Sequence, residues 1–182
     1  MKPARLAAIA LALGLTALIG RDGAATGGPQ TLAPRFAETG WPFLLDAWGP
    51  GRAFACGADA CGSPVAVFVR PKSGFCNCYN GVEDDDEIDR IGDVDLHSRD
   101  FVPLAPGRPA RVGGMDGRTR AFRLSGNAAR EVRALVVATK CNALVATIAS
   151  DGPLAPAVEG AVLDLLNGAP VQQFIATASA SP

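Results

Sequence analysis

Branched apolar residues run almost without interruption through two neighbouring segments, Val132 to Thr139 and Ala143 to Ser150, joined near Lys140, Cys141 and Asn142. This pattern predicts a β-hairpin, and its long apolar content places both strands at the centre of a sheet. Upstream, Pro64 introduces VAVFVR, Val65 to Arg70, which reads as another largely buried strand stopped by Pro71 and Gly74. Shorter strands are expected at Arg52 to Cys56, near Phe101 to Leu104 and at Thr119 to Leu124.

A different period appears after Asp151-Gly152-Pro153. From Leu154 or Pro156 to Asn167, apolar residues at Ala157, Val158, Ala161, Val162, Leu165 and Leu166 recur at spacings of three and four, and Gly168 follows as a stop. That is a helix with one face to bury. A shorter helix is expected from Glu83 to Ile91, with Glu83, Asp84, Asp85 and Asp86 near the positive end of its dipole and Ile88 and Ile91 facing inward. Asp86 and Arg90 are spaced to pair across one of its turns. After Pro170, VQQFIATA is expected to add an edge strand. Packing the long helix on the hairpin yields an α+β fold, an antiparallel or mixed sheet with helices on one face, supported by disulfides.

The N-terminus stands apart from this plan. Lys2 and Arg5 precede the uncharged apolar run Leu6 to Ile19, too short for a comfortable membrane span but suited to a signal peptide. Residues 1–25 are therefore read as a signal peptide, 26–34 as a flexible leader and 35–179 as one compact domain, in a periplasmic or secreted protein. With 17 Lys plus Arg against 18 Asp plus Glu, no net field draws the chain toward nucleic acid. No stable membrane span remains after cleavage. The scarce aromatics gather early: Phe36, Trp41, Phe43 and Trp48 suit core or capping use, with a binding groove as the alternative.

Export changes the reading of the cysteines. In an oxidising compartment, Cys56 and Cys61 are expected to bond across their short Gly-containing loop, and Cys141 to bond either Cys76 or Cys78. The second bridge would close a loop of about 60 residues, a constraint of ~4 kcal/mol on the unfolded chain. Five cysteines leave one over. A redox enzyme would need a thiolate of lowered pKa at Cys76 or Cys78, where Lys72 helps and the following acidic run opposes. A thiolate metal site at Cys56, Cys61, Cys76 and Cys78 has irregular spacing for zinc, and copper(I) at the C-x-C would need Met115 or His97 brought near.

The acidic run DDDEIDRIGDVD fails the EF-hand pattern, because position six from Asp84 is Asp89 and position twelve is Asp95. A metal alternative on Asp93, Asp95, Cys76 and Cys78 stays open at this point, beside a solvated, negatively capped helix. His97 is the only histidine, and no nucleophile elbow, metalloprotease motif or phosphate loop accompanies it. It reads as a loop hydrogen-bonding residue, with catalysis through Cys76, Cys78 or His97 as the enzyme alternative. Arg108, Arg111, Arg118, Arg120 and Arg123 follow the acidic run and either pair with it or face a charged partner. The whole reads as an exported noncatalytic accessory or binding protein with no cofactor and an exported protein partner; a thiol redox protein, a small hydrolase and a metal-binding protein are the alternatives.

Overall fold

The computed structural model describes residues 34–74, 82–125 and 130–179. The expected signal peptide, the expected leader up to residue 33, Cys76, Cys78 and the turn expected at Asn80-Gly81 lie outside the described residues.

The expected hairpin is the centre of the molecule. β7 (Glu131–Thr139) and β8 (Asn142–Ser150) pair antiparallel from Glu131 opposite Ser150 to Thr139 opposite Asn142, so only Lys140 and Cys141 form the turn. Lys140 takes a left-handed conformation there, with φ of 53°. β3 (Val65–Ser73) lies along the other side of β8, followed outward by β2 (Arg52–Cys56) and β1 (Ala37–Thr39). On the opposite flank, β6 (Met115–Leu124) pairs with β7. Two short strands share its outer edge: β5 (Arg108–Val112) along its first half and β4 (Phe101–Pro103) along its last three residues. Every pairing in this eight-stranded sheet is antiparallel.

Strand alternation sends successive side chains of β7 to opposite faces, and from Ala134 to Ala138 both sets are apolar. Leu135 and Val137 enter one core with Leu144, Ala146 and Ile148, covered by α3 (Pro156–Asn167) and α4 (Ala169–Ser179) through Val158, Val162, Leu166, Val171 and Ile175. Val132, Ala134, Val136 and Ala138 enter a second core with Phe122 and Val145, covered by α2 (Asp85–Ile91) through Ile88. The α+β class and the antiparallel sheet follow the sequence pattern, while the helices occupy both faces rather than one. A central strand with buried apolar residues on both faces, from Ala134 to Ala138, requires cover on each side.

Local chemistry starts and joins these helices. Asp84 caps α2 by accepting from the Glu87 amide at 2.9 Å, and the Glu87 carboxylate accepts from the Glu83 amide at 3.0 Å. Between β2 and β3, the single turn α1 (Ala58–Cys61) is closed by the expected Cys56–Cys61 disulfide. Cys141 is also disulfide-bonded; since Cys56 and Cys61 hold each other, its partner lies outside the described residues.

Two expectations are corrected. The segment after Pro170 is helical, not an edge strand: Val171 and Ile175 lie one turn apart and both are buried on the sheet. Pro170 sits in the first turn, where its missing N–H has no helical acceptor to lose, and the Gln172 side-chain amide donates to the Leu166 carbonyl at 2.6 Å. β-Branched residues suggested a strand, but packing at helical spacing outweighs that weak preference. Nor does Pro71 end β3, which continues to Ser73. Beyond Val69 the strand has lost its β2 neighbour and pairs with β8 alone, so a residue without an N–H is accommodated on the open edge.

Gln173→Pro tests the helical assignment. In the exposed middle of α4 it is expected to cost about 3 kcal/mol in urea unfolding; an edge strand would absorb it with little loss.

Candidate functional site

β3 carries an unusual sequence for a covered strand. Phe68, Arg70 and Lys72 alternate with buried valines, so period two turns them together toward the α2 face. Arg70 is 3% exposed and Lys72 6%. Two cations removed from water need counter-charge at close range. It comes from Asp93, itself 6% exposed, in the loop that leaves α2. The Asp93 carboxylate accepts from Arg70 Nε at 2.6 Å, Arg70 Nη2 at 2.7 Å and Lys72 Nζ at 2.6 Å. Lys72 also donates to the Ile91 carbonyl at 3.0 Å.

Asp93 reaches this position by adopting φ of 59°, a left-handed conformation that Asp and Asn tolerate better than other side-chain-bearing residues. A 3₁₀ turn, Val94–Leu96, then directs His97 to the same sheet face. There His97 Nε2 meets Thr147 Oγ1 of β8 at 2.9 Å. The Phe43 and Phe68 rings flank the imidazole edge to face, with centroids 5.0 and 5.2 Å away. Burial pushes the His97 pKa down to about 4, against the pull of Asp93; Arg130 reinforces the depression and Asp95 opposes it. At neutral pH the imidazole is uncharged.

The cluster ties down a strap, residues 41–49. Arg70 Nη1 donates to Asp46 Oδ1 at 2.8 Å, and the same Asp46 oxygen accepts from the Trp48 amide at 2.8 Å. Burial works against the Asp46 carboxylate, but the Arg70 and Trp48 hydrogen bonds outweigh it and hold its pKa below the usual range. The Lys72 ammonium lies 5.5 Å from the Trp48 ring centre, and the Arg70 guanidinium 6.0 Å from that of Trp41. Trp41, Phe43 and Phe68 pack mutually edge to face, the capping use expected of the aromatic cluster. The strap's remaining apolar residues point outward: Leu44 is 91% exposed, Leu45 71% and Trp48 43%.

The other sequence-derived residues fall into place around this arrangement. Asp93 faces the buried cations and Asp95 is exposed, and no group of three metal-ligating side chains gathers among the described residues. Met115 is buried under the α3 and α4 face, whereas His97 belongs to the opposite face. Ser98 does not meet His97 as a nucleophile would; its hydroxyl donates to the Asp100 carbonyl and accepts from the Asp100 amide. Cys76 and Cys78 are outside the described residues.

Acidic and basic stretches largely neutralise each other inside the domain. Arg118 Nη2 meets Asp85 Oδ1 at 2.8 Å, and Arg120 Nη1 meets Asp89 Oδ2 at 2.7 Å. The Gly107 amide donates the hydrogen bond that does most to lower the Asp85 pKa, and with Arg118 and Arg120 it outweighs the opposing effect of desolvation. The α2 charges thus pair across to β6 rather than along the helix as Asp86 with Arg90.

Sequence reading missed the Arg70, Lys72 and Asp93 triad. Its trace was present: two cations two residues apart, in a strand otherwise fit for burial, demand a carboxylate partner. The chain matches no known protein family, and no curated protein or solved structure matches it.

Asp93→Asn keeps the left-handed backbone acceptable while leaving two buried cations without their anion. It is expected to lower unfolding stability by about 3–5 kcal/mol, measured by urea denaturation at neutral pH. A separate acid effect belongs to His97. Its folded pKa of about 4 lies below the ordinary 6.5, so the unfolded chain binds more protons between these values. The contribution of neutral His97 is complete above pH 6.5 and is lost as pH falls toward 4. His97→Gln should flatten the stability slope in that window, whereas the Asp46 and Asp85 contributions are lost only at lower pH, their pKa values lying below 3.8.

Proposed function

We propose that this chain is an exported, noncatalytic binding protein that engages another exported protein through the strap at residues 41–49. The observation that carries this reading is the contrast within one short segment. Asp46 is fastened to buried Arg70, while Leu44 and Leu45 are held in water and Trp48, beside Lys72, is part-exposed. A loop with no partner loses nothing by turning such side chains inward, whereas pre-ordered apolar anchors reduce the entropy lost on association. Large aliphatic and aromatic anchors seated in a partner's apolar cleft supply most of the binding energy in protein interfaces.

Chemistry elsewhere supports the same class. His97 is neutral, walled by aromatic rings and hydrogen-bonded to Thr147, an arrangement that serves packing rather than proton transfer. Disulfides at Cys56–Cys61 and at Cys141 suit an oxidising compartment, in keeping with a periplasmic or secreted location and with the apolar run after Lys2 and Arg5. Among the described residues no helix is long and apolar enough to cross a membrane.

A photo-crosslinking residue at Leu44, in the full chain produced by its own export route, tests the proposal. One exported protein should be captured and identified by mass spectrometry. The double variant Leu44→Asp, Leu45→Asp should weaken binding of that purified protein by about thirtyfold, the scale of a lost hot spot. Its unfolding midpoint should stay within about 0.5 kcal/mol of the parent, since both side chains are already exposed. Affinity for the captured protein unchanged in the double variant sinks the reading.

A further inference from the structure

On the sheet face opposite the strap, the helical layer meets the sheet at β5 and the start of β6, where Val112 and Met115 join its core. α3 covers the centre of the sheet with Val158, Val162 and Leu166, and where its flank meets β5 the packing leaves a cleft of about 340 Å³. Such a volume falls at the lower end of small-ligand sites, about 300 Å³ and upward. Buried Leu135, Ile148 and Val162 line it, with half-buried Leu154 and exposed Leu163 also along it. A second depression of about 300 Å³ adjoins it and shares Arg108, Thr119 and Arg133.

The charges at this junction differ in their commitments. Arg133 is bound to Glu159 and has Glu131 4.0 Å away, and Arg111 pairs with Asp116 at 3.3 Å. Arg108 is exposed, and its guanidinium has no ion-pair or hydrogen-bond partner among the described residues. β-Strand pairing sets it opposite Thr119, at the end where the apolar cleft meets the second depression.

We propose that this cleft binds a free acyl-chain carboxylic acid, its carboxylate on Arg108 and its short tail along Leu135, Ile148, Val162 and Leu163. A guanidinium recognises a planar carboxylate through paired hydrogen bonds. The apolar lining removes the tail from water, and the small volume restricts that tail to a medium length. A cationic headgroup meets Arg108 with repulsion, and an uncharged one forfeits the charge-assisted bond. The site is independent of the strap, so either reading stands or falls without the other.

Calorimetric titration of the full exported chain with decanoate, below its micelle concentration, tests the assignment. Saturable one-to-one binding is expected, with decyltrimethylammonium failing to saturate. Arg108→Gln should weaken decanoate by about tenfold or more, the scale of a hydrogen bond to a charged group. Leu163→Asp should weaken it comparably by placing a like charge beside the tail. Arg123→Gln, which alters an exposed arginine on the same sheet edge but outside the cleft, should leave affinity unchanged. Decanoate that does not saturate overturns the proposal, as does equal binding of the cationic amphiphile, an Arg108→Gln affinity equal to the parent's, or binding confined to phosphatidylglycerol vesicles.

Discussion

One carboxylate joins three parts of this molecule. Asp93 accepts from Arg70 and Lys72 of β3 while standing in the loop that connects α2 to the His97 turn. Arg70 in turn reaches Asp46 in the strap. The sheet, the α2 layer and the strap are therefore connected through charges that cannot be left unpaired away from water. A buried ion cluster is weak evidence for stability in itself, because desolvation opposes the Coulombic gain. What it imposes is geometry: each cation has its carboxylate in one arrangement of the three elements, and the aromatic packing of Trp41, Phe43 and Phe68 is built around that arrangement.

The two sheet faces divide the work differently. On the α3 and α4 face, apolar side chains fill the centre, and the helices leave a lined cleft at the margin. On the other face, a smaller apolar core under α2 gives way toward β3 to ion pairs and aromatics. α2 itself is short, and its position rests on Ile88 beneath it and on the Asp85 and Asp89 pairs with β6. Because those pairs remain partly open to screening by water, they orient the helix more than they stabilise it.

The elements that were legible in sequence share one property: their pattern reports their own burial. The long apolar content of β7 and β8 announced a central hairpin, and the three-and-four spacing of Val158, Val162, Leu165 and Leu166 announced α3. The short Cys56–Cys61 loop could bond with little demand on the rest of the fold. α4 was less legible because Val171, Ile175 and Thr177 favour strands locally, and the sheet beneath them decided in favour of a helix. The second helical face was implied by β7, yet it became definite only when Ile88 was seen to lie over Val132, Ala134 and Val136.

The sequence by itself determined the α+β composition, the central hairpin, the main helix and the Cys56–Cys61 bridge, because each depends on residues close together along the chain. Only tertiary structure decided that Arg70, Lys72, Asp46 and Asp93 form one cluster and that Arg108, unpaired among the described residues, stands beside an apolar cleft. Ion pairing is set by distance in space, and the partners of Arg70 lie more than twenty residues away on either side of it. A charge pattern shows which counter-ions are required; the fold selects which ones arrive.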